Sequence, residues 1–123
     1  MNSILITGAT GSFGRAFVRH MLASRDCPER LCIFSRDEYK QQCMRQEFHD
    51  DHRLRFFLGD VRDRDRLELA FHNVATVIHA AALKQVPAAE YNPCEFVKTN
   101  IHGSQNVLDA ARKAGVKKVL LLS

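Results

Sequence analysis

The sequence predicts an α/β domain built on a doubly wound parallel sheet with strand order 3-2-1-4-5. Three observations carry that expectation. Apolar residues alternate, along the whole chain, between short β-favouring runs and stretches with a helical period, the pattern of successive β-α-β units. Gly8, Gly11 and Gly14 punctuate the junction between the first run and the first helical stretch. Right-handed crossovers then leave few layouts for five parallel strands, with the winding reversing between strands one and four.

Each element follows in order. Ile4-Leu5-Ile6 is strand one, too short and too β-favouring for a helix. Beyond the glycines, Phe13, Phe17, Val18, Met21 and Leu22 fall on one face of a helix. Leu31 to Phe34 is strand two, and Asp37 and Glu38 suit the positive end of a helix reaching about His49. Leu54 to Leu58 is strand three, stopped by Gly59-Asp60. Asp63 is the expected N-cap of a short helix from Arg64, with Leu67, Ala70 and Phe71 on its inner side. Thr76 to His79 is strand four. Asn92, Pro93 and Glu95 have the spacing of a cap, a first helical residue and a capping-box partner. That helix should run to Ala114 and stop at Gly115, a left-handed C-cap residue, before strand five at Val119 to Leu122.

Composition narrows the function classes. A chain of 123 residues, 46% hydrophobic and 26% charged, is one globular domain of ordinary make-up. No apolar run approaches the ~18 residues of a membrane span, and no signal-peptide pattern precedes Ile4. The expectation is a cytoplasmic protein with no membrane partner. Cys27, Cys32, Cys43 and Cys94 form no C-x-x-C pair, which argues against a zinc site or redox couple. The net charge is +4, but Arg53, Arg55, Arg62, Arg64 and Arg66 are interleaved with Asp60, Asp63 and Asp65. That reads as a solvated surface and not as a nucleic-acid face. His49, Asp50, Asp51 and His52 are of metal-ligand type, yet no further ligand follows nearby, so a solvated helix end is expected and no metal. His79 is expected to be a packed histidine near the end of its strand.

The glycine turn carries the chemistry. Gly8 permits a sharp exit from the strand, Gly11 lets main chain approach a pyrophosphate, and Gly14 lets the helix pack closely. Unpaired N–H groups at the helix start then hold the phosphate charge. In such a sheet, ligands gather just beyond the strands' carboxyl ends. The contacts should come from the glycine turn, Ser35-Arg36, Asp60-Val61, Ala80 to Lys84 and Ser123. NAD-binding domains place an acidic residue after strand two to take the ribose hydroxyls. Here Ser35-Arg36 stands there, and Arg36 with Lys40 one turn later offers two positive charges to a 2′-phosphate. NADP is therefore favoured over NAD. Asp37 is compatible with a ribose contact or a helix cap, and Asp60 with the adenine amino group or a turn cap.

The turn Thr7-Gly8-Ala9-Thr10-Gly11-Ser12-Phe13-Gly14 resembles that of the extended short-chain dehydrogenase/reductase superfamily, whose cofactor domain is Rossmann-like. Further segments are similar to its UDP-N-acetylglucosamine 4,6-dehydratase (inverting) branch of polysaccharide-biosynthesis proteins: Ser35 to Gln41, Arg55 to Asp63, His79 to Pro87, Glu90 to Pro93 and Lys98 to Ile101. Gln85 departs from the histidine familiar in that family. The resemblance implies NADP contacts at Thr10, Gly11, Ser12 and Phe13, from Arg36 to Gln41 (Asp37, Lys40 and Gln41 among them), and at Asp60, Val61, Ala80 and Lys84. Thr99 and Asn100 lie nearby, and Gly8, Gly14, Ser35, Ala81 and Ala82 complete the expected cofactor set. Lys84 is also implied to touch the sugar nucleotide, UDP-N-acetylglucosamine or a relative.

By the same resemblance, the sugar is oxidised at C4 by hydride transfer to NADP. The C5 proton is then removed, water leaves from C6, and the hydride returns to C6. Homo-oligomers are implied, with the helix from Pro93 at the interface. The implied catalytic Y-x-x-x-K pair is absent, since Cys43 follows Tyr39 by four residues and Glu95 follows Tyr91. The acid/base groups and the substrate domain are expected beyond Ser123, leaving this chain as a cofactor part that is inactive alone. A nucleotide-sugar 4-epimerase and a non-catalytic NADP-binding fragment are the alternatives.

Overall fold

Strands β1 (Ser3–Thr7), β2 (Arg30–Ser35), β3 (Leu54–Leu58), β4 (Thr76–His79) and β5 (Lys118–Leu121) form one parallel sheet. Its order is β3-β2-β1-β4-β5, as expected from the crossover rule. The connecting helices are α1 (Ser12–Leu22), α2 (Glu38–Glu47), α3 (Arg64–Ala70) and α4 (Pro93–Ala114). The structure is a computed structural model that describes residues 3–80 and 93–122, with side chains at 3–80 and 104–122.

Helices cover both faces because the strands are apolar on both sides. Leu5, Phe34 and Val77 point to one face, where Leu67 and Phe71 near α3 and Val107, Ala110 and Ala111 of α4 close over them. Their neighbours Ile6, Ile33 and Ile78 point to the other, against Val18 of α1 and Met44 of α2. The two-residue strand period thus delivers adjacent apolar residues to two separate cores. On the outside, Glu47 at the end of α2 pairs with Arg15 and Arg19 of α1 at 2.8 and 2.5 Å, tying the two helices together.

The structure departs from the sequence pattern at particular places. Helix α2 ends at Glu47 and not at His49. His49 and Asp50 adopt left-handed φ of 55° and 52°, and the Asp50 N–H donates to Arg45 O at 2.8 Å. This is a Schellman-like closure made without glycine, so the residues announce no stop. Just beyond it, hydrogen bonds from the Arg53 side chain and backbone lower the Asp51 pKa to about 2. Among the described residues, no three His, Cys, Asp or Glu side chains gather as a metal site. Phe13 does not join the buried face of α1: it is 41% exposed and stacks on Phe17 with 6.0 Å between ring centres. Strand β5 begins one residue early, at Lys118. Helix α4 closes as expected, with Gly115 at φ 78° and the Val116 N–H donating to Ala111 O at 2.9 Å. The cap expected at Asn92 lies outside the described residues.

Candidate functional site: a crevice at the carboxyl ends of the strands

The winding reverses between β1 and β4, and the turn after β1 is shaped around unpaired donors. Gly8 leaves the strand at φ 65°, and its N–H donates to Phe34 O at 3.0 Å, fixing the turn to the end of β2. The Gly11 N–H closes the turn on Gly8 O at 3.2 Å. Gly11 is also the extended N-cap of α1, which has no side-chain cap and no acidic residue in its first turn. The first helical bond runs from the Arg15 N–H to Gly11 O at 3.0 Å. The amides of Ser12, Phe13 and Gly14 therefore have no acceptor among the described residues, at the positive end of the helix. Close packing keeps this end in place, since a Cβ on Gly14 would lie 2.2 Å from Ala9 O and 2.4 Å from Ala9 Cα. Beside it, the Thr10 hydroxyl is buried without a partner, an orphan that a ligand oxygen would satisfy. This combination fits a pyrophosphate group.

At the end of β2, the expected contacts divide into two kinds. Arg36 is open, its side chain 63% exposed, and Lys40 is exposed with no ion pair among the described residues. Ser35 and Gln41 instead turn inward. The Gln41 amide nitrogen donates to Ser35 Oγ at 2.9 Å, Ser35 O at 3.3 Å and Phe57 O at 3.2 Å. These two side chains, expected at the cofactor, brace the ends of β2 and β3 because a buried amide must find partners. Asp37 caps α2, its carboxylate accepting from the Lys40 N–H at 3.0 Å.

After β3, Asp60 accepts from the Arg62 backbone N–H at 2.9 Å and from the Arg62 Nη2 at 2.9 Å. Arg36 Nη1 lies 3.7 Å from the same carboxylate. The Arg62 hydrogen bonds, with the two positive charges, hold the Asp60 carboxyl below its ordinary pKa. Val61 is half-buried, and its carbonyl and that of Arg62 both accept from the Asn106 amide of α4 at 3.1 Å.

At the end of β4, His79 is buried, as expected, and sits against β1. Its Nδ1 is hydrogen-bonded to Thr7 Oγ1 at 2.7 Å, and Thr7 Oγ1 accepts from the Ala80 N–H at 3.1 Å. Burial pushes the His79 pKa below its usual value of 6.5. The neutral ring and the hydroxyl join the strands that flank the crevice. The expected sites Ala81, Ala82 and Lys84 lie outside the described residues, as does the Thr99 side chain on α4.

Sequence reasoning missed Thr7, Arg62 and Asn106. Thr7 belongs to the glycine-turn motif as well as to the strand end, and Arg62 lies in a run of alternating charges that gives it no signal of its own. Asn106 carried one usable signal, because asparagine is a poor choice for a helix interior unless its amide has work elsewhere.

A model of the family described as "Polysaccharide biosynthesis protein" matches residues 4–123. The chain is 53% identical to the UDP-N-acetylglucosamine 4,6-dehydratase (inverting) of Campylobacter jejuni, over 98% of its own length and 36% of that protein. It is 47% identical to the UDP-glucose 4-epimerase of Rickettsia prowazekii, again over 98% and 36% of the two lengths. Among solved structures, it is similar to DesIV, a dTDP-glucose 4,6-dehydratase from Streptomyces venezuelae crystallised with NAD and TYD bound. That match has a TM-score of 0.82 and 32% identity, covering 95% of this chain and 38% of the other. The chain thus spans about a third of the length of the curated relatives it matches. No described helix is long and apolar enough to cross a membrane. The five-stranded order, the glycine turn and a match running from Ile4 to the last residue agree with the resemblance read from the motifs: the chain belongs to the polysaccharide biosynthesis protein family.

Proposed function

We propose that residues 1–123 are the NADP-binding part of a cytoplasmic, homo-oligomeric UDP-N-acetylglucosamine 4,6-dehydratase serving polysaccharide or glycan synthesis. The observation that carries this reading is the set of unpaired amides at Ser12, Phe13 and Gly14 after β1, together with the exposed guanidinium of Arg36 after β2. The amides and the start of α1 hold the pyrophosphate. Arg36 and Lys40 hold the 2′-phosphate, Asp60 accepts from the adenine amino group, and Ala80 lines the inner end of the crevice. Bound NADP supplies the acceptor for the C4 hydride. The chain contributes binding and orientation, with Lys84 toward the sugar nucleotide, and no acid or base for the C5 and C6 steps. The Thr7–His79 pair keeps the crevice wall fixed and neutral.

Titration of NADP and NAD against the chain and its Arg36→Ala variant tests this. NADP should bind more tightly than NAD. The substitution should weaken NADP by roughly 10- to 100-fold, the worth of charge-assisted hydrogen bonds, and leave NAD nearly unchanged. Equal affinities of the unaltered chain for both nucleotides would reject the cofactor assignment.

The identity to an epimerase favours a second reading, in which hydride returns to C4. Product analysis of the whole enzyme with UDP-N-acetylglucosamine separates the two: a 4-keto product supports the dehydratase, a C4 epimer the alternative.

A further inference from the structure

In the loop after β3, the cofactor reading gives no role to Arg62, which binds the Asp60 carboxylate. Asp60 and Arg36 face each other across the outer end of the crevice at 3.7 Å, within ion-pair range but too far for a hydrogen bond. Arg62 occupies the carboxylate far more closely. Its Nε lies 3.2 and 3.3 Å from the two Asp60 oxygens and its Nη2 2.9 Å from Oδ2, while its backbone N–H takes Oδ1 at 2.9 Å. A carboxylate has about four acceptor positions, so Arg62 fills most of them.

The backbone that presents this fork is itself held. The Asp63 N–H donates to Asp60 O at 2.9 Å, and the Asn106 amide of α4 binds the carbonyls of Val61 and Arg62 at 3.1 Å each. Arg66, the next arginine inward, is committed elsewhere: its Nε donates to Leu58 O at 2.9 Å and its guanidinium stacks over Phe57 at 4.2 Å. Among the described residues, Arg62 is the group that balances the charge of Asp60 at close range.

From this geometry we infer that Arg62 is a positioning residue for cofactor selectivity: by occupying the Asp60 carboxylate, it keeps Arg36 available to a 2′-phosphate. Without Arg62, the Asp60 side chain loses its fork and the nearest cation is Arg36. A direct Arg36–Asp60 pair would then compete with the phosphate for the guanidinium. Arg62 touches no part of the nucleotide in this arrangement and acts through Asp60. The inference rests on the NADP-binding reading given above.

The test measures the ratio of NADP to NAD affinity, because a general disturbance of the crevice weakens both nucleotides and leaves the ratio in place. Titration calorimetry would compare the chain with R62A, R62K, D60N and the double variant D60N/R62A, with circular dichroism confirming the fold of each. R62A should lower the ratio about two- to fivefold, the scale of one exposed ion pair. Removing the competing charge in D60N/R62A should restore it. R62K, which keeps the charge but not the fork, should fall between; if R62A fails to fold, R62K against D60N/R62K carries the same comparison. A ratio in R62A equal to that of the unaltered chain overturns the inference, as does a lowered ratio that D60N does not restore. An unaltered chain that binds neither nucleotide overturns the cofactor reading itself, a result distinct from either.

Discussion

Gly14→Ala is expected to unseat the start of α1 and remove measurable NADP binding. The new methyl would sit 2.2 Å from Ala9 O, 2.4 Å from Ala9 Cα and 2.5 Å from Ala9 C. All three are backbone atoms of the turn that presents the amides, so no side-chain rotation relieves the clash. Overpacking at a rigid site costs about 1–3 kcal/mol and sometimes more, and here the upper end applies. The strain can be released only by moving α1 away from the turn, which also moves the amides of Ser12 and Phe13. Urea denaturation should show the loss in stability, and calorimetry the loss of binding. Gly115→Ala is the control. Nothing lies within 4 Å of that position, and only its φ of 78° resists a side chain. It should cost about 1 kcal/mol and leave binding intact. A Gly14→Ala protein with the unaltered denaturation midpoint and NADP affinity would contradict this account of the turn.

Thr7→Val should produce the second large effect, about 2–4 kcal/mol of destabilisation, although valine matches threonine in shape. Thr7 and His79 are almost wholly buried, at 0% and 2% exposure, and the hydroxyl serves both the His79 ring and the Ala80 N–H. Its removal strands two buried polar groups, each worth about 1–3 kcal/mol when left unsatisfied. Thr7→Ser keeps the hydroxyl and should lose much less. The same burial gives a pH dependence whose sign is fixed. Because the folded pKa of His79 is depressed below 6.5, the unfolded chain binds the proton more readily. The contribution to stability is complete above that value and declines as pH falls below it. Denaturation midpoints at pH 7.5 and pH 5.5, for the chain and for His79→Gln, measure it. A midpoint for Thr7→Val equal to that of the unaltered chain would show that the network carries no stability.

The fold was legible in the residues to a degree that matches the strength of each signal. The β-favouring runs at Leu31, Leu54 and Thr76 became strands within a residue of their expected limits, since short runs rich in branched and aromatic residues suit a pleated sheet better than a helix. Asp63 was legible as a cap, its carboxylate accepting from the Arg66 N–H at 3.2 Å. The end of α2 was not, because His49 and Asp50 adopt left-handed angles without a glycine to mark them. Phe13 misled for a different reason. Its helical spacing is right, but Gly14 and Val18 are the residues of α1 that are buried, while the Phe13 ring is 41% exposed.

The geometry of the glycine turn was legible, since three glycines at a strand–helix junction leave little freedom of interpretation: Gly8 takes a positive φ, Gly11 caps α1 and Gly14 packs on Ala9. Side-chain roles were harder to read. Ser35 and Gln41 stand beside Arg36 and Lys40 in sequence, yet the former pair faces the sheet and the latter faces solvent. Sequence spacing gives no account of the Arg62 fork on Asp60 or of the Asn106 amide that supports it from a distant helix.

The central claim, that the first-turn amides of α1 hold the phosphates of a dinucleotide, is best tested by nuclear magnetic resonance on the 15N-labelled chain. At 14.0 kDa it is small enough for individual amide signals to be followed during an NADP titration. The signals of Ser12, Phe13 and Gly14 should shift together and saturate at one dissociation constant, shared with the Arg36 side chain. Saturation of other signals with these three amides unmoved would contradict it.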